Sequence, residues 1–114
     1  MRTLNRTAVM IVPKQPFLDW LRGVDPSNRD LTMEEVCADP SIYLLPECAF
    51  EDELLARLGE TSGEIFEREL ESWDRVEKSW PTDRSFRAFQ EWFGFSIHWM
   101  LIDLADERLV REKM

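Results

Sequence analysis

The sequence predicts a small α+β domain, and three observations predict it. Two short apolar runs, Ala8-Val9-Met10-Ile11-Val12 and Ile42-Tyr43-Leu44-Leu45, are each closed by a proline, Pro13 and Pro46, as buried strands are. The stretches between and after them carry apolar residues at helical spacing. At 114 residues, with five Trp and seven Phe, the chain suits one hydrophobic core rich in large rings. The expected order is β-α-(short α)-β-α-α-β, a small mixed three-stranded sheet covered by helices. The expectation is a single domain over 1–114, with 1–6 and 106–114 frayed.

Each element has a local reason. Pro16 suits the first turn of a helix, and Phe17, Trp20, Leu21 and Val24 fall on one face before Gly23 and Asp25-Pro26-Ser27 end it. Thr32 and Glu35 form a capping box for a short helix that Asp39-Pro40 stops. A helical crossover between the two proline-closed strands predicts parallel neighbours. From Phe50 to Val76 the pattern is helical, with Phe66, Leu70 and Trp73 as its buried face. At Gly59–Gly63 it either breaks, with Thr61 as a fresh N-cap, or runs through. Trp80-Pro81-Thr82-Asp83 opens another helix capped by Thr82 or Asp83, with Phe86, Phe89, Trp92 and Phe93 facing the core and Gly94 loosening its end. The run Ile97–Leu104 continues that helix or forms a third strand; a strand over about Trp99–Leu104 is the favoured reading, because the run has no helical gap.

The net charge is -9, and its placement is uneven. Of the 23 acids, 11 lie between Glu47 and Glu77, against three of the 14 Lys and Arg, so this stretch carries nearly the whole excess. Within it, Glu60, Glu64, Glu67, Glu71 and Asp74 recur at steps of four and three, opposite the apolar face. Arg68 and Arg75 each follow an acid by four residues, the favourable order on a helix. Such a field repels nucleic acid and anionic membrane and attracts a basic partner. No apolar run approaches the ~20 residues of a spanning helix. With two cysteines, Cys37 and Cys48, and a polar Met1–Thr7 segment, the expectation is a reducing cytoplasm and free thiols, with a Cys37–Cys48 bridge as the alternative.

Catalytic and cofactor chemistry finds little support. Two Cys eleven residues apart and the single His98 are too few for zinc, and no Glu-x-x-His pair suggests a di-iron bundle. His98, between Ile97 and Trp99, reads as a core histidine rather than the base of a Cys–His pair. Glu69 falls on the apolar face of the long helix, where a buried acid needs a partner. Lys14 lies between a strand end and a helix start, near Asp19, and with His98 these are the weak ligand-binding candidates. Lys78, Arg84 and Arg87 form a small basic cluster among Trp80, Phe86 and Phe89, thin ground for nucleic-acid binding. No metal, cofactor or catalytic set is expected.

The segment Val12-Pro13-Lys14-Gln15-Pro16-Phe17-Leu18-Asp19-Trp20-Leu21, with Ile42-Tyr43-Leu44 and Trp80-Pro81, resembles a group of short uncharacterised bacterial proteins over most of the chain. The resemblance implies a bacterial cytoplasmic origin and carries no activity, ligand or catalytic residue across. The functional expectation is a non-enzymatic protein-interaction module. Its interaction residues are Glu60, Glu64, Glu67, Glu71 and Asp74, meeting a protein partner, for instance a basic one, or a second copy. The alternative is a small ligand-binding domain or enzyme with its site at the end of the first strand.

Overall fold

A computed structural model of the chain describes residues 1–112. Strands β1 (Arg2–Thr3) and β2 (Arg6–Pro13) lead into helices α1 (Gln15–Val24) and α2 (Met33–Val36). Strand β3 (Ser41–Pro46), the long helix α3 (Glu51–Glu71), α4 (Phe86–Trp92), β4 (Phe93–His98) and β5 (Ile102–Asp103) follow. The fold is α+β, and its sheet has the order β3-β2-β4. A separate two-stranded pair, β1 with β5, joins the ends: Arg2 lies opposite Asp103 and Thr3 opposite Ile102, within a segment expected to fray. Beyond β5, residues 106–112 carry no helix or strand; the remainder of the C-terminal stretch expected to fray, 113–114, lies outside the described residues. No helix among the described residues is long and apolar enough to cross a membrane.

The sheet corrects one expectation: β2 pairs antiparallel with both neighbours. Parallel pairing needs a crossover that delivers the chain to the opposite end of the sheet. Here α1 leads away, and the chain then folds back on it. Asp25 accepts from the Ser27 amide at 2.9 Å, the Asn28 amide side chain donates to the Leu21 carbonyl at 3.1 Å, and Arg22 donates to the Leu31 carbonyl at 2.6 Å. Thr32 and Glu35 then close a complete capping box on α2. The chain re-enters the sheet where it left, with Ser41 opposite Ile11.

Alternation sorts β2 by face. Thr7, Val9 and Ile11 are fully buried beneath the helices. On that side they meet Leu45, Tyr43 and Ser41 of β3, with Ile97 and Phe95 of β4 opposite Val9 and Ile11. The helices α1, α3 and α4 complete this core through Phe17, Phe66 and Phe89, whose ring centroids each lie 5.2 Å from that of Phe93. Such tilted and edge-on contacts add about 0.5–1.5 kcal/mol per pair to the burial itself.

The long helix runs unbroken through Gly59–Gly63. Thr61 is no cap there; its hydroxyl donates back to the Arg57 and Leu58 carbonyls, and buried Ser62 does the same to Gly59. The Phe86 ring packs over the helix at Gly59, where a Cβ would stand 3.4 Å from it, in ordinary van der Waals contact. The helix stops at Glu71, earlier than the periodicity predicts. Trp73, read as buried, is instead exposed. The chain is held after Glu71 by indoles: Trp80 donates to the Asp74 carbonyl and Trp20 to that of Ser79, both at 2.8 Å.

The C-terminal half needs two more corrections. Ser85, not Thr82 or Asp83, caps α4, accepting from the Ala88 amide, while Asp83 accepts from the Ser85 amide. The third strand of the sheet is β4, which starts at Phe93 directly from the helix; of the expected Trp99–Leu104 strand only Ile102–Asp103 is extended, as β5, and it pairs with β1 instead. The Lys14 amide donates to the Trp92 carbonyl at 2.8 Å, and Pro13 pairs with Phe93, so the helix end is fastened to the sheet at the turn.

Candidate functional site

Taken singly, the acids of the predicted stripe have different fates. Glu60 is exposed and sits 3.6 Å from Arg57. Glu67 reaches Arg84 at 3.3 Å, across to the segment before α4, and Arg84 also lies over the Trp80 ring. Asp74 lies beyond the helix, where its carboxylate accepts from the Val76 amide and the Ser79 hydroxyl; its place in a helical stripe is therefore corrected. Glu64 and Glu71 remain exposed on α3. They stand on the side of the helix that faces β3, on either side of Arg68; Arg75 lies beyond the helix end, so its expected helical pairing with Glu71 is corrected, and it lines the same cleft from the segment that follows.

Lys14, Asp19 and His98 are not brought together. The Lys14 ammonium donates to the Gln90 carbonyl at 2.8 Å, filling one of the open acceptors at the end of α4. Asp19 accepts from Gln15 one turn earlier in α1. His98 ends β4 opposite Ala8, whereas Lys14 adjoins the Pro13–Phe93 end, roughly 17 Å away at the rise of a strand. The reading of His98 as a core histidine is corrected: the ring is exposed and hydrogen-bonds the Ser96 hydroxyl at 2.9 Å. Both cysteines are free thiols. Their pKa values are pushed up by burial, and they donate to separate carbonyls, Cys37 to Pro13 and Cys48 to Pro46. Among the described residues no three His, Cys, Asp or Glu side chains gather as a metal site requires.

What sequence reasoning missed is a trough between β3 and α3. Its main cleft, of about 440 Å³, is lined by Ser41, Tyr43, Arg68, Glu71, Ser72 and Arg75, with Glu69 at its wall. Smaller clefts of about 150 and 220 Å³ continue it past Pro40 at one end and past Leu45 and Thr61 at the other. The inward residues of β3 set its depth: the Tyr43 hydroxyl donates to the Glu69 carboxylate at 2.7 Å. That bond answers the question Glu69 posed in the sequence, with a tyrosine as partner. Burial, then the Glu69 hydrogen bond and charge, push the Tyr43 pKa far above the ordinary phenol value. The outward residues of β3 stay open, Ile42 at 63% exposure and Leu44 at 49%. Among the described residues β3 pairs only with β2, so its other edge carries unpaired backbone groups. The available signal was alternation within Ser41–Leu45, which a reading of Ile42–Leu45 as one buried run obscures. Comparison with family models, with curated proteins and with solved structures gives no match.

Proposed function

We propose that this chain is a non-enzymatic protein-interaction module of the bacterial cytoplasm, and that it binds through the β3 edge and the adjoining flank of α3. One observation carries the reading. An open sheet edge bearing exposed Ile42 and Leu44 lies beside a trough with charges of both signs. Exposed edges are normally blunted by lysine, proline or a cover; here proline stands only at the ends, Pro40 and Pro46. Strand addition to such an edge draws affinity from the backbone and selectivity from side chains along the groove. The remaining acids, Glu60 and Glu64 above all, favour a partner with basic groups and speed its approach. Nucleic acid suits the surface poorly, because Arg84 and Arg87 already face Glu67 and Glu91.

The alternative, a ligand site at the end of β2, has less support, since Lys14, Asp19 and His98 are engaged separately and His98 lies at the opposite end of the strand pair from Lys14. The test is capture from bacterial extract on immobilised full-length chain, at low and moderate salt, with I42K and E60K/E64K/E71K beside the wild type. The expected result is a protein held by the wild type and lost with I42K, its retention by the wild type falling as salt rises. An unchanged set of captured proteins with both variants overturns the proposal.

A further inference from the structure

We infer that residues 106–112 are a built-in ligand: they lie over the Leu44 end of β3 on the outer face of the sheet, and a partner segment of the same pattern, an apolar side chain followed two residues on by a base, takes their place there. The inference rests on the interaction reading above and names the part of the partner that fits.

Alternation defines the outer face. Arg6, Ala8 and Met10 point away from the helices, and β3 sets Pro46, Leu44 and Ile42 against them. Of these, Ile42 and Leu44 are the large exposed apolar side chains. From β5 the chain is led back to this face. The Leu4 amide donates to the Leu101 carbonyl at 2.9 Å, which ties the two ends of the chain together beside the sheet. The Asp103 carboxylate then accepts from the Ala105 amide at 2.9 Å, an Asx turn that redirects the chain, and a bend follows at 106–107.

The returning segment meets β3 through two side chains. Leu109 lines a cleft of about 220 Å³ with Leu4 and Leu44, and Arg111 reaches a second, of about 560 Å³, beside Pro46 and Glu47. Three leucines from residues 4, 44 and 109 therefore gather at one cleft outside the main core, as apolar side chains under long loops do. Val110, between Leu109 and Arg111, is 73% exposed, which fits the alternation of an extended chain. The other base here, Arg6, is turned to Asn5, donating to its carbonyl at 2.9 Å and its side chain at 2.8 Å. Glu47 is the acid that shares the larger cleft with Arg111.

The seat is loose. Leu109 keeps 60% exposure and Leu44 49%, whereas a segment packed into the fold would bury both. A loosely seated tail is exchangeable. Its tether gives it an effective concentration of about 1 mM, and any ligand for the same place competes against that. The preference for a base follows from the same seat, because Glu47 lines it.

The experiment titrates the full chain into a fluorescein-labelled synthetic peptide of residues 104–112, followed by fluorescence anisotropy. The chain is used as wild type and as L109D/R111D, which releases the tail. The released variant is expected to bind the peptide with a Kd of about 0.1 mM, and the wild type about tenfold more weakly, since its own tail competes. Adding L44D to the released variant abolishes binding while circular dichroism stays that of the wild type. If L44D loses structure, E47K at an exposed position is expected to weaken binding about threefold. In capture from bacterial extract, the immobilised released variant is expected to hold about threefold more of the partner than the wild type at equal load.

Equal peptide binding by the wild type and the released variant overturns the inference, as does no binding to the released variant up to about 5 mM. So does capture that I42K abolishes and tail release leaves unchanged. A peptide that binds only the released variant, with capture indifferent to I42K and to E60K/E64K/E71K, removes the interaction proposal and leaves the tail as a ligand of its own sheet.

Discussion

The two flanks of α3 are built from the same kinds of residue and end in opposite states. Toward α4 the flank is closed: Phe86 lies over Gly59, Phe66 meets Phe89 and Phe93, and Glu67 reaches Arg84. Toward β3 it is open: Tyr43 and Glu69 make one hydrogen bond across the gap, and four charged side chains line a trough. The difference lies in ring packing. The closed flank removes large apolar area from water, and its one ion pair adds little. The open flank is spaced by a polar contact, and that contact keeps strand and helix apart at the rim.

If the closed flank carries the stability, Phe93→Ala is the largest break. It removes a ring 1% exposed at the centre of three aromatic contacts and is expected to cost about 3–5 kcal/mol in urea unfolding. On the open flank Tyr43→Phe loses the bond to Glu69, for about 1–2 kcal/mol, while the exposed edge stays intact. The pH dependence has a definite sign. The folded chain holds the Tyr43 proton more tightly than the ordinary phenol value of 10.0, so its contribution is full below that pH and declines above it. The stability gap between wild type and Tyr43→Phe is expected to shrink above pH 10; a constant gap would remove the proposed linkage. The smallest effect is Arg84→Gln, which breaks a partly exposed ion pair for roughly 0.2–1 kcal/mol and is masked by salt. A loss above about 2 kcal/mol would show that charge as well as ring packing seals the closed flank.

Local signals were legible, and long-range ones were not. Thr32 and Glu35 announced their capping box, Pro16 its helix, and Ala8–Val12 a buried strand, because each is decided within a few residues. The end of α3 was not, since the acidic and apolar spacing runs on through Asp74 with no glycine or proline to stop it. The chain leaves the helix where Trp20 and Trp80 hold carbonyls of the following loop, and Trp20 lies far away in sequence. In β4, Phe93, Phe95 and Ile97 alternate as a strand should, yet Phe93 also completes the helical spacing of Phe86 and Phe89. Two periods overlap there, and the pairing of Phe93 with Pro13 decides between them. The trough was hidden for a similar reason. It forms between segments more than twenty residues apart, and only a tertiary contact sets Tyr43 beside Glu69.

The central position of β2 has a consequence for how the chain is made. Residues 6–13 leave the ribosome long before 93–98, yet the sheet needs both β3 and β4 on either side of them. Pairing of high sequence separation is slow to form. The most apolar strand therefore waits, with one edge open, until almost the whole domain has been translated.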